Sequence, residues 1–361
     1  ALLFRMRNLS FVFSISRGEG FGKVLQKSTV LFKSRHSVIL RTSKHRGVRQ
    51  MHFTGTVWRP PYEADSLLLE VTAGCTHHKC KFCTLYDDIP FPFKMSPMQD
   101  ITSDLLEIQT LYYHPMTSQA NKLTGQPQRE GFKRAFLTGA NPFVLQSERL
   151  LKIAARIYEY VPTVKTIGCF ARITDIKQKT EEELLALRDA GYTSLTIGME
   201  TGDTDALQFM NKGYTAQDIL EQCKRLDAAN ISYAFFYLTG ISGVGKGVLG
   251  ATRTADICNQ LHPKLIGANM LTIYPNSELY QEIQRGNWKE EREVEKYQEL
   301  QVLIKRLNIP VQFAAMGASN AIPMYGSLTQ DKEKLLMTLE HIITQIGEEQ
   351  LREYRTHLRH L

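Results

Sequence analysis

The chain has 361 residues, 43% of them hydrophobic, which is enough for one large α/β barrel or two modest domains with a sizeable core. Its formal net charge is +7, but residues 1–50 carry eleven Lys and Arg against one acid, Glu19, so residues 51–361 hold 33 basic and 36 acidic side chains. The body of the protein is therefore close to neutral, and its charge gives no warrant for nucleic-acid binding. No apolar run is long enough to cross a bilayer, so we expect no membrane span.

Residues 1–50 differ from the rest of the chain in composition. They are rich in Arg, Lys and Ser, lack a clear hydrophobic period and begin with Ala1, whereas Met51 opens the part that reads as a folded protein. A mitochondrial-type presequence and a basic nucleic-acid-binding arm are both compatible with such a segment. We favour translated upstream sequence joined to a protein that starts at Met51, and expect residues 1–50 to form no domain and to carry no function.

Short apolar segments alternate with helix-period segments through most of the chain. The predicted strands are 66–71, 134–138, 165–171, 194–199, 232–238 and 265–273. Several of the helices between them begin at capping signals, namely Ser96 followed by Pro97, Thr180 and Thr215. Six βα-type units in a row predict a parallel sheet that is strongly curved or closed. We therefore expect an α/β fold, a partial (β/α)6 TIM-type barrel whose chemistry lies at the C-terminal ends of the strands.

The last part of the chain lacks the alternation of strands and helices. Beyond the sixth predicted strand, only 311–315 resembles a strand, and charged helices are predicted at 289–307 and 329–346. We therefore expect the barrel to occupy residues 51–275 and a mainly helical C-terminal extension to occupy residues 276–361.

Alternation along two strands indicates which side chains face the barrel interior. In the strand that ends at Glu200, the small or polar residues share one face and the bulky apolar residues share the other. Because barrel strands pack their bulky residues against the outer helices, Glu200 is predicted to point inward at the top of its strand. The same argument puts Arg172 inside and Cys169 outside. Cys223 and Cys258 lie on apolar helix faces, so these three cysteines are expected to be small buried hydrophobes.

The other three cysteines lie together in Cys75-Thr-His-His-Lys-Cys80-Lys-Phe-Cys83, directly after the first predicted strand. Three thiolates on one short loop suit an iron–sulfur cluster with one iron left without a protein ligand, whereas a structural zinc site or an electron-transfer ferredoxin would need a fourth ligand. His77 and His78 leave a Cys/His zinc site open, although ordinary loop histidines are the simpler interpretation. Six cysteines without regular pairing argue against a disulfide framework, so we expect a reducing compartment and a cytoplasmic protein.

This cysteine loop resembles that of radical S-adenosylmethionine (radical SAM) enzymes, and the resemblance runs over about 51–334. The usual motif of that superfamily is C-x3-C-x2-C with an aromatic residue before the last cysteine. Here Phe82 is the aromatic residue before the last cysteine, and the resemblance implies that it contacts the cofactors. Four residues separate Cys75 from Cys80, one more than in the usual motif. The loop looks similar to that of Fe–S oxidoreductases of unassigned substrate, related to the methylthiotransferase and coproporphyrinogen dehydrogenase branch.

Two further segments resemble parts of the SAM site in that superfamily. Phe136-Leu-Thr-Gly-Ala-Asn-Pro142 resembles the glycine-rich loop that holds the amino group of SAM. The resemblance implies that Gly139, Ala140 and Asn141 bind SAM. It also implies that Arg172 pairs with the SAM carboxylate, a role that suits a planar, two-pronged donor.

The next two segments resemble the ribose-binding strand and turn of the same branch. They are Ile197-Gly-Met-Glu-Thr-Gly202 and Met210-Asn-Lys-Gly-Tyr-Thr215. The resemblance implies that Glu200 accepts hydrogen bonds from the ribose or the amine of SAM. It further implies that Tyr237-Leu-Thr-Gly240 and Tyr274-Pro-Asn-Ser277 line the adenine end.

The resemblance implies a reaction as well as a fold. Cys75, Cys80 and Cys83 would bind a [4Fe–4S] cluster whose fourth iron binds SAM. One electron from a flavodoxin- or ferredoxin-like donor would cleave SAM to methionine and a 5′-deoxyadenosyl radical, which abstracts hydrogen from the substrate. The chain has no second cysteine cluster, which disfavours sulfur insertion, and Thr84 and Leu85 stand where the coproporphyrinogen enzymes carry a further cysteine. The catalytic residues and the substrate are left unassigned.

Two other classes of protein stay open. A passive Fe–S electron carrier or structural protein would share the cysteine loop without cleaving SAM. A nucleotide-binding protein is suggested by Gly240-Ile-Ser-Gly-Val-Gly-Lys246, which fits G-x4-G-K, but Gly247 stands where a phosphate-binding loop has Ser or Thr. Glu70 is a charge inside an apolar strand, either a functional group on the substrate side or a satisfied buried carboxylate.

Overall fold

A mainly parallel β-sheet organises the structure. The computed structural model describes residues 51–113, 116, 119 and 131–357, and Met51–Leu361 forms one compact unit. The expectation for residues 1–50 lies outside the described residues. Among the helices that the structure describes, none is both long enough and apolar enough to pass through a bilayer.

The sheet has the strand order of an open barrel. The strands are β1 (Leu67–Glu70), β2 (Thr72–Gly74), β3 (Phe93–Met95), β4 (Arg134–Thr138), β5 (Thr166–Ala171), β6 (Tyr192–Glu200), β7 (Ser232–Thr239), β8 (Leu265–Met270), β9 (Gln312–Ala315) and β10 (Met324–Ser327). Eight of them form one sheet in the order β1-β4-β5-β6-β7-β8-β9-β10, and β2 pairs with β3 in a separate hairpin. Neighbours from β1 to β9 are parallel, and β10 is antiparallel to β9. A parallel sheet whose strand order follows the chain order carries its connecting helices on one face and curves, so the predicted partial barrel is confirmed.

The sheet is wider than the six predicted strands. All six are present, and β9 extends the sheet by pairing parallel with β8. The edge strand β10 escaped prediction because Met324-Tyr-Gly-Ser327 is short and contains a glycine, which weakens a strand pattern. Both added strands come from the region predicted to be mainly helical. The division into a barrel at 51–275 and an extension at 276–361 stays a prediction.

The helices cover the outer face of the sheet. They are α1 (Met98–Tyr113), α2 (Ser147–Tyr160), α3 (Ile173–Lys177), α4 (Glu181–Asp189), α5 (Thr204–Phe209), α6 (Ala216–Ala228), α7 (Gly247–Cys258), α8 (Glu278–Gln284), α9 (Glu293–Arg306), α10 (Lys332–Gln345) and α11 (Glu348–Thr356). Thr180 and Thr215 cap α4 and α6 as predicted, because each hydroxyl accepts a hydrogen bond from the third helical N–H. The helices predicted at 289–307 and 329–346 correspond to α9 and α10. Helix α9 packs against α7 and α10.

The barrel interior carries the side chains that strand parity assigned to it. Phe170 on β5 lies with its ring centroid 5.1 Å from that of Phe136 on β4 and 6.2 Å from that of Phe236 on β7. Because these rings come from three different strands, they fill the middle of the barrel. The space above them, toward the C-terminal ends of the strands, is left to polar side chains.

Three cysteines belong to the outer core, as predicted. Cys169, Cys223 and Cys258 are fully buried among apolar side chains. Burial raises the pKa of each of these thiols, that of Cys258 to about 12. They are therefore neutral thiols in an apolar environment and act as small hydrophobes.

The opposite end of the barrel is closed by an ion pair. Arg134, at the start of β4, donates hydrogen bonds of 2.8 Å to each carboxylate oxygen of Glu63, which ends the 3-10 turn Pro61–Glu63. The same guanidinium donates to Ser194 Oγ at 2.6 Å and to Thr166 Oγ1 at 3.2 Å. Because these partners lie at the N-terminal ends of β5 and β6, the turn covers that end and leaves the C-terminal end for a site.

This ion pair yields a stability prediction. Replacing Glu63 with Ala leaves the Arg134 guanidinium without its carboxylate partner, and should lower the free energy of unfolding by about 3 kcal/mol. Urea denaturation measures the loss. The control is Glu159→Ala, which breaks an exposed pair with Arg156 and should change stability by less than about 1 kcal/mol. Equal losses in the two variants would show that Glu63 has no special role.

Candidate cofactor site

The cysteine loop, residues 75–83, lies at the C-terminal ends of the barrel strands. It follows β2, and the Cys75 N–H donates to the carbonyl of Pro92 at 2.8 Å. The Lys81 N–H donates to the carbonyl of Met210 at 3.1 Å, and the Leu279 N–H donates to the carbonyl of Lys81 at 2.7 Å. The loop is therefore fixed at three points to the hairpin, to the turn after α5 and to the start of α8.

The three thiols of this loop share one environment. Cys75, Cys80 and Cys83 are half-buried free thiols. Burial raises the pKa of Cys80, and it raises the pKa of Cys83 to about 12. Negative charge at Cys75 also raises the pKa of Cys80, and negative charge at Cys80 and Cys75 raises that of Cys83. Thiolates placed together in this way need a positive centre to hold them in the ionised form.

The donor set fits a polynuclear cluster better than a single ion. In the described residues, no group of three or more His, Cys, Asp or Glu side chains converges on one metal-ion position. A cubane iron–sulfur cluster does not require convergence, because each thiolate binds a different iron. Three thiols on one anchored loop fit a [4Fe–4S] cluster, whereas the ring nitrogens of His77 and His78 contact the Asn211 carbonyl and the Asp87 carboxylate.

Asn141 holds the cysteine loop to the glycine-rich loop after β4. Its side chain is fully buried, and its amide nitrogen donates to Thr76 Oγ1 at 2.8 Å and to Asp175 Oδ1 at 3.1 Å. Its amide oxygen accepts from the Thr76 N–H at 3.4 Å. The side-chain amide is therefore committed to protein partners and positions the loop, and the contact between Asn141 and SAM that the resemblance implied stays a prediction.

Gly139 and Ala140, in the same loop, are only half-buried. Gly139 has a φ of +128°, and a Cβ atom there would lie 2.0 Å from Thr72 Oγ1. The backbone at this position therefore requires glycine, both for its conformation and for the close approach of β2. The exposed backbone of this pair can face a ligand, as the sequence implied.

Arg172 and Glu200 both contact Lys212 at the strand ends, and the sequence analysis assigned no role to this lysine. Lys212 Nζ lies 3.0 Å from Glu200 Oε1, with only 7% of the lysine side chain exposed. The Arg172 guanidinium donates to the backbone carbonyl of Lys212. A ring nitrogen of His77, in the cysteine loop, lies 2.5 Å from the carbonyl of Asn211. The loop, the inward-pointing Glu200 and the turn that carries Lys212 thus form one polar site.

Backbone strain is concentrated at this site. Four non-glycine residues in the described part of the chain have positive φ, and His78, Glu200 and Asn211 belong to the site. The pairing of β6 with β7 shifts register between Gly198 and Glu200, where the strand end bends. Such conformations cost about 1–3 kcal/mol each and persist at functional sites where the surroundings impose them. The backbone of Glu200 is strained, and its carboxylate is held by the ion pair with Lys212.

Phe82 connects the cysteine loop to an apolar cluster beneath it. The cluster of buried residues that it packs against contains Met210, Ile241, Leu271, Leu279 and Trp288. The Lys212 ammonium lies 5.7 Å from the centroid of the Phe82 ring. Phe82 therefore presents one side to the polar site and buries the other, which is compatible with its predicted place beside the cofactors.

A cleft opens beside the cysteine loop. Its enclosed volume is about 20 Å³, and its walls include Tyr86, Thr138 and Gly139. The hydroxyls of Thr72 and Thr138, which also belong to these walls, are buried without a hydrogen-bond partner. Gly74, which precedes Cys75, also lines the cleft, so the cleft opens beside the start of the cysteine loop. Its enclosed volume is that of about one water molecule, so a larger ligand would bind there only if the walls move apart.

Glu70 lies between this cleft and the outer surface and is a satisfied carboxylate. Thr54 donates to it twice, from its N–H at 2.9 Å and from its hydroxyl at 2.6 Å. Burial raises the pKa of Glu70. These contacts support the interpretation of Glu70 as a satisfied buried carboxylate over that of a functional group on the substrate side.

The glycine-rich loop after β7 does not offer its amides to a phosphate. The Gly240 N–H donates to the Glu299 carboxylate at 2.8 Å, and Ser242 Oγ donates to Asp203 Oδ2 at 3.1 Å. A Cβ atom on Gly247 would lie 2.3 Å from the carboxylate of Glu291. Because the protein's own buried carboxyl groups occupy this region and Glu299 accepts from the Gly240 amide, the nucleotide-binding interpretation is not supported.

The position of Tyr237 corrects one expectation of the sequence analysis. The resemblance implied that Tyr237 lines the adenine end of the site, but its side chain is buried on the outer face of β7. Its hydroxyl donates to Glu299 of α9. Strand parity accounts for the difference, because Tyr237 alternates with the inward-facing Phe236.

Comparison with known proteins assigns the chain to a family. A family profile described as the Radical SAM superfamily matches residues 69–248, a range that includes the cysteine loop, the Gly139 loop, Arg172, Glu200 and Lys212. The chain belongs to the radical SAM superfamily, whose members bind a [4Fe–4S] cluster and SAM and carry out SAM-dependent radical chemistry.

The chain is also similar to particular members of that superfamily. It is 23% identical over 181 residues to the heme chaperone HemW of Bacillus subtilis (strain 168). The matched segment covers 48% of this chain and 46% of HemW, so the chain spans less than half of that curated relative. Among solved structures, coproporphyrinogen III oxidase (HemN) from Escherichia coli matches at a TM-score of 0.47 with 16% identity, over 66% of this chain and 51% of HemN. Methylornithine synthase (PylB) matches at a TM-score of 0.45 with 12% identity, over 81% of this chain and 87% of PylB.

The Asn141 bridge can be tested in the apoprotein. Asn141→Leu keeps a similar volume but leaves the polar groups of Thr76 and Asp175 buried without a partner, so we expect a loss of about 1–3 kcal/mol in the free energy of unfolding. We also expect faster labelling of Cys75 by a thiol reagent, because the loop loses its anchor. The control is Asn276→Leu, which removes an exposed hydrogen bond to Asp87 beside the same loop and should change neither quantity. Labelling at the wild-type rate in Asn141→Leu would contradict the positioning role.

The buried carboxylates below the glycine-rich loop predict a pH dependence of stability. Burial raises the pKa of Glu291 from 4.5 to about 7, and burial with the charge of Glu291 holds that of Glu299 well above its usual range. Between pH 4.5 and about 7 the folded protein binds more protons than the unfolded chain, so stability should fall as pH rises across this window. In Glu291→Gln the fall should be shallower, as measured by urea denaturation at several pH values. If the free energy of unfolding changed with pH equally in the wild type and in Glu291→Gln, Glu291 and Glu299 would not be the source of this pH dependence.

Proposed function

We propose that this chain is a radical SAM enzyme in which Cys75, Cys80 and Cys83 bind a [4Fe–4S] cluster and SAM binds beside them at the C-terminal ends of the strands. Reductive cleavage of SAM would supply a 5′-deoxyadenosyl radical for hydrogen abstraction from a substrate.

The observation that carries this proposal is the position of the cysteine loop. Its three half-buried thiols lie at the C-terminal end of an open barrel, the end at which barrel enzymes carry out their chemistry. The other end is closed by the Glu63–Arg134 pair, so a ligand reaches the interior from the cysteine side. A passive carrier needs neither a cleft beside its cluster nor a set of polar groups aimed into the barrel.

The surrounding residues suit the binding of an amino acid and a ribose. Arg172 makes side-chain hydrogen bonds to Lys212 O and Thr174 Oγ1, which leaves further N–H donors for a carboxylate. Glu200 uses Oε1 for Lys212, so Oε2 is the oxygen proposed to accept from the ribose. The backbone of Gly139 and Ala140 is proposed to meet the amino group. In this arrangement the protein binds, orients and excludes water, and the hard chemistry belongs to the cofactors.

The reductant is proposed to be a flavodoxin- or ferredoxin-like protein, since radical SAM chemistry needs one electron from outside the chain. A reducing compartment is proposed on the basis of the cysteines, all six of which are free thiols. The cytoplasm is the compartment that best fits both requirements.

The proposal predicts SAM cleavage by the purified protein. Anaerobically reconstituted protein with dithionite should convert SAM to 5′-deoxyadenosine, as measured by chromatography. Cys80→Ala should lose cluster absorbance and cleavage together, because it removes one of the three thiolates. Cys258→Ala, a substitution in the outer core, should retain both, and so should Lys246→Ala in the glycine-rich loop.

The outcome of this experiment separates enzyme from carrier. A wild-type protein that binds a cluster but yields no 5′-deoxyadenosine would be a passive Fe–S protein. If such a protein instead bound heme tightly, a role like that named for the Bacillus subtilis relative would replace the proposal. ATP turnover that is lost in Lys246→Ala would restore the nucleotide-binding interpretation.

A further inference from the structure

Lys212 is a buried cation at the centre of the candidate site. Only 7% of its side chain is exposed, although lysine is almost never fully buried unless paired. Its Nζ atom lies 3.0 Å from Glu200 Oε1, 5.4 Å from the ring centroid of Tyr214 and 5.7 Å from that of Phe82. The two aromatic faces and the carboxylate hold the ammonium group beside the cysteine loop.

The ammonium group stays charged in this environment. Burial lowers the pKa of Lys212, but Glu200, Tyr214 and Cys80 raise it, and the result lies well above the usual value. Burying a cation is costly unless it is paired, so the position of Lys212 depends on its anionic neighbours. A neutral side chain of similar length would pack there without that requirement.

The charge of Lys212 acts on the thiols of the loop. The Lys212 Nζ atom lies 5.7 Å from the ring centroid of Phe82, the residue directly before Cys83. The Arg172 guanidinium donates to the carbonyl of Lys212, and Glu200 pairs with the Lys212 ammonium. Two cations and one carboxylate therefore lie beside the cysteine loop, and these three groups sum to one positive charge. An excess positive charge stabilises whatever negative charge the loop carries.

We propose that Lys212 is a positioning residue that acts through its charge, raising the reduction potential of the cluster bound by Cys75, Cys80 and Cys83. This inference rests on the proposed function. In the step concerned, a reduced donor protein loses one electron and the cluster gains it, so the ligand set becomes more negative by one charge. A nearby cation favours the more negative state, and local charge is one of the factors that set the potentials of such clusters.

The test is a potentiometric titration of the reconstituted cluster, followed by electron paramagnetic resonance. Lys212→Met removes the charge and keeps the length, and should make reduction at least about tenfold less favourable, a shift of the midpoint by about 59 mV to more negative potential. Lys212→Arg keeps the charge and should stay near the wild-type midpoint. Glu200→Gln removes the opposing charge and should shift the midpoint to more positive potential.

Two controls make the result specific. Lys246→Met removes an exposed lysine from the glycine-rich loop and should leave the midpoint unchanged. The affinity for SAM, measured on the oxidised proteins, separates a direct cofactor contact from an electrostatic effect. Weaker SAM binding in Lys212→Met with an unchanged midpoint would overturn the inference.

The remaining outcomes also decide the matter. If Lys212→Met assembles no cluster, the sign of the shift in Glu200→Gln gives the answer: a positive shift supports the inference and an unchanged midpoint overturns it. A wild-type protein that binds a cluster and cleaves SAM, with equal midpoints in all variants, would leave the proposed function standing and remove this role of Lys212. Failure of the wild type to bind any cluster would contradict the proposed function itself, and the inference with it.

Discussion

The hydrogen bond from the Lys81 amide to the Met210 carbonyl joins two parts of the chain that are far apart in sequence. It docks the cysteine loop on the turn that follows α5, and that turn carries Lys212. The Asn141 amide fixes the other end of the loop through Thr76. With both ends held, the thiols, the ion pair of Lys212 with Glu200 and the guanidinium of Arg172 occupy one region at the C-terminal ends of the strands. The chemistry that this site can support depends on that docking.

The barrel explains why the docking happens at this edge. The parallel strands end together, so every loop that follows a strand lies at the same end of the barrel. Glu63 and Arg134 close the opposite end, and the rings of Phe136, Phe170 and Phe236 fill the middle. What is left is a shallow polar space above the aromatic layer, bounded by the cysteine loop on one side and by the strained end of β6 on the other.

Much of this could be predicted from the sequence, because hydrophobic period and capping signals act locally. The six strands, the capped helices and the inward direction of Glu200 follow from patterns within a few residues of each other. Lys212 and Asn141 show the limit. A lysine in a polar turn looks exposed until the fold buries it beside Glu200, whereas strand parity alone could have placed Tyr237 in the outer layer. The role of Asn141 depends on Thr76, 65 residues away. Contacts of this kind are set by tertiary packing, and local patterns carry no information about them.

In the proposed site, Cys75, Cys80 and Cys83 share one cluster and one iron is left for SAM. Mössbauer spectroscopy of protein reconstituted with 57Fe, with and without SAM, tests this arrangement. We expect a [4Fe–4S] spectrum in which a single iron site changes when SAM is added, because three thiolates leave one iron without a protein ligand. A spectrum of mononuclear or [2Fe–2S] iron, or a [4Fe–4S] spectrum that SAM leaves unchanged, would contradict it.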